Sequence, residues 1–325
     1  FLIMRAFSGG CATLTGTASD KTGAVLPLVK VTLTQRDTGV AFAAMTDPAG
    51  RYTIPELPPG TYTLAAELSG FRKLVLTEVK LEVQQTARLD LTMELGSVAE
   101  VVEVTAEAPL LNTDTSSKGE MVTTVEISEM PLNGRDFNEL AYLAPGVVPK
   151  AQGGQGGFAN INGARADNTN FIVDGMNNQN PRGAAAQVRP PIEALQEFKV
   201  ETGNFSAEYG RLAGGVLNMA LRSGSNRFHG SLFQYFRNDV LDARGFFDPE
   251  VPKLRRNQFG GTLGGPVLIP RLLNGRRSTF FFVAWESYRQ RLGQTRLGRV
   301  PTLLERQGDF TQNYDVAGRL LTVFD

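Results

Sequence analysis

Between residues 12 and 95 the chain runs as short stretches of alternating apolar and polar positions, interrupted by turn residues about every ten positions. VKVTLTQ sets Val29, Val31 and Leu33 against Lys30, Thr32 and Thr34, the two-residue period of a half-buried strand. ATLTGTAS, GVAFAAMT, GRYTI, GTYTLAAEL, FRKLVLT and ARLDLTMEL read as further strands. DPAG and LPPG between them are turn chemistry, because proline fixes φ and glycine reaches positive φ. Strands at this spacing predict a β-sandwich.

The pattern then changes. Residues 96 to 120, GSVAEVVEVTAEAPLLNTDTSSKGE, hold one extended Val-rich piece followed by a polar stretch. From 121 to 222 helix and strand signals mix. GRDFNELAYLAPGV places Phe137, Leu140 and Leu143 at helical spacing and stops at Pro145-Gly146. NFIVDGMNN is a strand entering an Asp-Gly turn, and PPIEALQEFKVET opens with proline at a helix start before passing into a strand. From 223 to 325 the pattern is strand-like again. In QFGGTLGGPVLI, Phe259, Leu263 and Val267 share a face with Gly261 and Gly265, opposite Gln258 and Thr262. In STFFFVAWESYRQR, Phe281, Val283 and Trp285 oppose Phe282, Ala284 and Glu286. Alternation over about ten residues, with aromatics toward the interfaces, is the signature of transmembrane β-strands. The fold class expected is mainly β.

Composition narrows the chemistry. The 325 residues leave room for two domains or more. Lys plus Arg and Asp plus Glu are equal at 33 each, so no net field recruits nucleic acid. The balance hides a skew: Arg222 to Arg299 holds 14 Lys or Arg against five Asp or Glu. Arginines among aromatic rings resemble a single-strand nucleic-acid surface, yet these arginines sit largely in turns such as PRLLNGRRS and the rings fall at strand spacing, so no nucleic-acid partner is expected. One cysteine, Cys11, and one histidine, His229, exclude an internal disulfide framework and most zinc sites. Neither a Walker A nor a G-x-S-x-G sequence occurs. No catalytic residue, metal or cofactor is expected, and His229 is expected in a structural hydrogen bond. GQGGFA (154–159) spells a dinucleotide loop but lacks the preceding strand and following helix, so it reads as a loop. Asp174 in DGMNNQN lacks the spacing of a calcium loop and reads as a turn held by Asn and Asp side chains. Glu201 and Glu208 read as solvated charges, with nothing to separate their pKa values.

Two resemblances carry function. GTASDKTGAVLPLVKVTLTQRDTG and TDPAGRYTIPELPPGTYTLAAELSGF resemble the carboxypeptidase regulatory-like domain, an Ig-like or transthyretin-like sandwich. The sequence departs at LPLVKV, where that family commonly has Pro-Gly-Ala, a change confined to one turn. The name implies no peptidase activity, since zinc ligands are lacking. MPLNGRDFNELAYLAPGV, INGARADNTNFIVDGMNNQ and IEALQEFKVETGNFSAEYGRLAGGVLNMALRSGSN, in that order, resemble the plug of a TonB-dependent outer-membrane receptor, with the Oar-like subgroup the best fit because it sets a regulatory-like domain before the plug. The resemblance implies plug motif positions Asn133, Gly134, Arg135, Asn162, Gly163, Arg165, Asp174, Gly175, Glu208, Tyr209, Gly210, Gly214 and Gly215. It makes Val101, Val102, Glu103, Val104, Thr105 and Ala106 a candidate TonB box, a strand that adds to a partner's sheet edge; an ordinary linker ending in an edge strand is the other reading.

The expected organisation is therefore 1–11 signal-peptide remnant or disordered, 12–95 sandwich, 96–120 TonB-box linker, 121–222 α+β plug, and 223–325 the first strands of a truncated transmembrane β-barrel. FLIMRAFSGGC could end a cut signal peptide, with Cys11 either lipidated or a plain small residue. A plugged transporter uses about 22 strands, and about 100 residues after the plug supply four or five at roughly 20 residues each, so the chain reads as a fragment. The resemblance implies an outer-membrane receptor, sandwich and plug on the periplasmic side, with TonB and its inner-membrane energising complex, outer-membrane lipid and an unidentified extracellular substrate as partners. The sandwich fits either a spacer or a recognition module. An adhesion or structural protein of the same architecture, without transport, is the alternative.

Overall fold

The computed structural model describes residues 11–96, 101–105, 117–130, 132, 134–149, 159–180, 185–206, 209, 214–244, 250–293, 301–314 and 318–321. Contacts group the chain into two compact units, Phe1–Gln234 with Gln258–Ser287, and Tyr235–Asn257 with Tyr288–Asp325.

The first unit opens with β1 (Ala12–Asp20), β2 (Lys30–Gln35), β3 (Ala41–Met45), β4 (Arg51–Leu57), β5 (Gly60–Glu67), β6 (Lys73–Leu81), β7 (Thr86–Arg88), β8 (Leu91–Met93) and β9 (Val101–Thr105). One sheet runs β4-β1-β7, with β8 also on β1, and the other β3-β2-β5-β6-β9. The alternation read from sequence is the packing pattern: Val31 and Leu33 of β2 and Tyr62, Leu64 and Ala66 of β5 are buried between the sheets. Both buried phenols keep a partner, Tyr52 donating to Leu89 O at 2.6 Å and Tyr62 donating to Pro58 O. ARLDLTMEL, read as one strand, is two. The chain breaks at Leu89-Asp90, where Leu89 N–H bonds Thr15 O and the Asp90 carboxylate accepts Thr17 N–H, both at 2.8 Å.

The plug follows with β10 (Lys118–Val122), α1 (Thr124–Glu129), β11 (Val147–Pro149), β12 (Ala159–Ile161), β13 (Thr169–Val173), β14 (Met176–Asn177), β15 (Leu195–Gly203) and β16 (Gly215–Leu221). The main sheet runs β10-β15-β16-β13-β14, and β11 pairs with β12. α1 starts in a Thr123/Glu126 capping box. Phe137–Leu143 is a 3₁₀ helix rather than the α-helix its spacing suggested. Pro145 has no N–H to close an α-turn on Ala141, and Ala144 N–H bonds Ala141 O instead. Phe137 and Leu140 are buried against Ile127, Phe198 and Leu217, whereas Leu143, at the end of the turn, is exposed.

β17 (His229–Asn238), β18 (Leu254–Pro266) and β21 (Phe280–Leu292) form a three-stranded sheet in that order, with β19 (Leu268–Ile269) and β20 (Leu273–Asn274) a small hairpin between the last two. At 10 to 13 residues these strands reach the length a tilted membrane strand needs, about 9–11. Leu232, Leu263, Val283 and Trp285 are exposed, while Gln258 is buried and donates to Glu286 Oε1 at 2.7 Å. Among the described residues no helix is long and apolar enough to cross a membrane. In the second unit, Asn238 caps a short 3₁₀ turn at Asp239–Leu241, Arg237 pairs with Asp242 at 3.1 Å, and the Arg256 guanidinium lies 5.8 Å from the Tyr288 ring centroid. α2 (Leu303–Arg306) is one capped turn.

Gly16 tests the sandwich packing. A Cβ there would lie 1.9 Å from Leu89 O and 2.8 Å from the Tyr52 ring. Gly16→Ala is expected to lower stability by about 1–3 kcal/mol through overpacking, read as a lower unfolding midpoint in denaturant. Gly203→Ala, where a Cβ meets nothing within 4 Å, is expected to leave the midpoint near its original value.

Candidate functional site

Of the described motif residues of the plug, all but Tyr209 fall in or beside three tight turns and the start of one strand. In the first turn Gly134 and Arg135 both adopt positive φ, +76° and +52°, which glycine accepts freely and arginine does not. The reversal sends the Arg135 side chain inward, where it meets Glu193 Oε1 at 2.5 Å with side-chain exposures of only 7% and 13%. Asp136 then caps the 3₁₀ helix, accepting Asn138 N–H at 3.0 Å. Asn133 lies outside the described residues.

The second turn repeats the device. Asn162 and Gly163 have φ of +48° and +78°, and the Asn162 amide donates to Thr202 O at 2.7 Å, tying β12 to β15. Arg165 is exposed, and its carbonyl accepts Asn168 N–H at 3.0 Å. The third turn, Asp174-Gly175, joins β13 to β14 with positive φ at both residues, as a two-residue hairpin requires. The Asp174 carboxylate accepts Leu221 N–H at 3.0 Å. Burial pushes its carboxyl above the usual range, against that hydrogen bond. Asn178 exchanges both amide groups with Val188 backbone at 2.8 Å, so the asparagines beyond Asp174 are occupied by the fold, as the turn reading expected.

Gly214 and Gly215 open β16. A Cβ on Gly214 would sit 2.7 Å from Asn168 O, and one on Gly215 2.7 Å from Ile161 and 2.9 Å from Glu201 O. Close packing, not a phosphate cradle, accounts for both. The Tyr209 hydroxyl accepts from Gln84 Nε2 of the sandwich. Glu208, Gly210 and the GQGGF loop lie outside the described residues. His229 Nδ1 sits 3.3 Å from Ser225 Oγ and 3.1 Å from Arg227 O, and its ring stacks on Phe282, so the structural reading of the histidine stands. Among the described residues no His, Cys, Asp and Glu gather as a metal site.

Val101–Thr105 of the candidate TonB box forms β9, paired parallel with β6 from Lys73↔Val101 to Thr77↔Thr105; Ala106 lies outside the described residues. β9 ends the five-stranded sheet: one backbone edge is on β6, and among the described residues no strand pairs with the other.

One expectation is corrected. Glu201, read as a solvated charge, is buried and bonded to Lys199 at 2.8 Å. The sequence reading also missed Glu197, Gln84 and Asn218. Glu197, on the polar side of β15, is buried and accepts Val83 N–H at 2.7 Å. Burial drives its carboxyl up to about 7, against that bond and nearby Lys80 and Lys199. The available signal was QEFKVE, whose polar positions mark one face of β15, though not what covers it.

The Arg135–Glu193 pair gives a test. Removing one partner of a buried ion pair costs about 3–5 kcal/mol, so Glu193→Ala is expected to lower plug stability by that order, measured by denaturant unfolding. Asp136→Ala, which removes a helix cap and a long, largely exposed ion pair with Arg189 at 4.0 Å, is expected to cost about 1 kcal/mol.

Comparison with known proteins accords with the geometry. Three family models match in order: a carboxypeptidase regulatory-like domain at 13–94, a TonB-dependent receptor plug domain at 112–216 and an outer membrane beta barrel domain at 220–322. The TonB-dependent transporter Oar of Myxococcus xanthus is 31% identical over 260 residues, 75% of this chain and 24% of that protein. The ferrienterobactin receptor of Escherichia coli (strain K12) is 29% identical over 134 residues, 35% of this chain and 18% of that protein. Among solved structures, the siderophore receptor PirA from Acinetobacter baumannii aligns with a TM-score of 0.37 at 24% identity, over 46% of this chain and 22% of its own. The chain thus spans about a quarter or less of these relatives. Its sandwich, plug and barrel strands, matched in that order, show that the chain belongs to the TonB-dependent receptors of the outer membrane, of the Oar-like kind that sets a carboxypeptidase regulatory-like domain before the plug.

Proposed function

We propose that this chain is the periplasmic and plug portion of an energised outer-membrane transporter, taking up an extracellular substrate not yet identified. The observation that carries the reading is β9. It stands between sandwich and plug in sequence and ends its sheet, with no strand among the described residues paired on its second edge. Such an edge is a template for an added strand, which is what pairing with the C-terminal domain of TonB requires. The plug combines an apolar core on one side of its sheet with turn geometry and polar contacts on the other, an arrangement suited to stepwise rearrangement under load. The exposed apolar side chains of β17, β18 and β21 suit contact with outer-membrane lipid.

The boundaries expected from sequence, 12–95, 96–120, 121–222 and 223–325, are retained as the working division. In a strand, successive residues turn their N–H groups to opposite edges. Proline at neighbouring positions therefore removes a donor from the β6 side in one variant and from the outer side in the other. Capture of the receptor by a TonB C-terminal domain is expected to fall at least tenfold for one of Val102→Pro and Glu103→Pro, and for Val104→Pro to follow Val102→Pro. Undiminished capture of all three would exclude strand pairing through β9 and favour the adhesion alternative.

A further inference from the structure

The plug sheet has two buried faces, and only one is apolar. Along β15, Phe198 and Val200 enter the plug core, while Glu197, Lys199 and Glu201 lie on the other side. Register continues that side onto β16, where Ala220 is opposite Glu197 and Asn218 opposite Lys199, and onto β13, where Ile172 is opposite Asn218. Glu197, Glu201 and Asn218 are all buried, so this polar face is covered.

Part of the cover is the turn that follows β6. Val83 is buried and its N–H donates to Glu197 Oε2 at 2.7 Å. Gln84, held at φ +55°, accepts from Asn218 Nδ2 and donates to the Tyr209 hydroxyl. Gln85 fixes the turn by accepting Glu82 N–H at 2.8 Å. A second sandwich turn adds Pro59 O, which accepts from Gln196 Nε2 at 3.1 Å. β6 thus has two attachments: its C-terminal end runs into the turn on the plug, and its edge holds β9.

We propose that the N-terminal sandwich is a releasable clamp on the plug, the Glu82–Gln85 turn seating on β15 and β16 at rest and letting go before the plug sheet rearranges. The proposal rests on the transport reading for its purpose, while the clamp itself rests on these contacts. Glu197 is its positioning residue, through Val83. The charged groups acting on Glu197 are Glu82 and Lys80 from the sandwich and Lys199 from its own strand, and Glu126 of α1 faces Lys80. Glu197 is raised from 4.5 to about 7 by burial under the clamp. A carboxyl raised in the closed state favours closure while it is protonated, so the clamp is tightest below the ordinary carboxyl range and weakens as pH rises through about 7. Linkage sets the loss at roughly a hundredfold in the closing equilibrium.

The test uses the full-length receptor in outer-membrane lipid, on a Cys11→Ser background, with spin labels at the exposed positions Thr92→Cys and Glu120→Cys. Pulsed electron spin resonance is expected to give one narrow distance at pH 4 and a second population that grows between about pH 5 and 7 and levels off above that. Glu197→Gln, which still accepts the Val83 N–H but cannot ionise, is expected to keep the narrow distance at every pH. Gln84→Ala is expected to broaden it at every pH. Hydrogen exchange across 195–203 and 215–221, corrected for intrinsic rate, is expected to rise with the open population. A distance indifferent to pH and to both variants overturns the clamp; opening without faster exchange shows that the sandwich does not restrain the plug. Capture by TonB is scored separately, so failure of the transport reading is distinguishable from failure of the clamp.

Discussion

β16 is the constraint on which the plug depends. It lies between β15, antiparallel, and β13, parallel, and Gly215 to Ala220 are buried on both faces. A strand buried on both sides usually reads as a continuous apolar run. β16, GVLNMAL, follows this except at Asn218: Leu217 and Met219 face the plug core, and Val216, Asn218 and Ala220 the other side. Its first residues must be glycine because the Asn168 and Glu201 carbonyls pass within contact distance. The motif turns then converge on the sheet around it: Asn162 reaches β15, and Asp174 bonds the last residue of β16 itself. The plug loops are therefore not independent decorations but fixings for this strand.

Much of the fold is legible in the sequence because local rules act alone there. The sandwich strands follow two-residue alternation, and Asp174-Gly175 forms the hairpin its dipeptide predicts. The positive φ values at Gly134 and Gly163 make backbone sense of their glycines. What escapes is what depends on a distant partner. QEFKVE shows an apolar and a polar side, and polar sides default to water; segments more than a hundred residues away, Val83 and Gln84 among them, help bury it. The 3₁₀ geometry at Phe137–Leu143 escaped for the opposite reason, since spacing reports which residues face inward but not the missing amide at Pro145 that tightens the turn. β9 is intermediate. Its strand character is in VVEVT, while its partner β6 is a matter of tertiary choice.

The sandwich and the plug of the first unit are held together by different physics. The sandwich buries leucines, valines and tyrosines between two sheets, a core whose exposure costs about 25 cal/mol per Å² of apolar surface. The plug has such a core on one face only. Its other face mixes buried Val216, Ala220 and Ile172 with hydrogen bonds and an ion pair, whose protein partners can be exchanged for water at about 0.5–1.5 kcal/mol each. A sheet with one greasy and one polar face has a built-in order of failure under load, with the polar side separating first and the apolar core later. β9 is attached to the sandwich through β6, and β6 in turn runs into the turn seated on the polar side of the plug sheet. The contact between sandwich and plug thus passes through hydrogen bonds that water can replace, while each domain keeps its own apolar core.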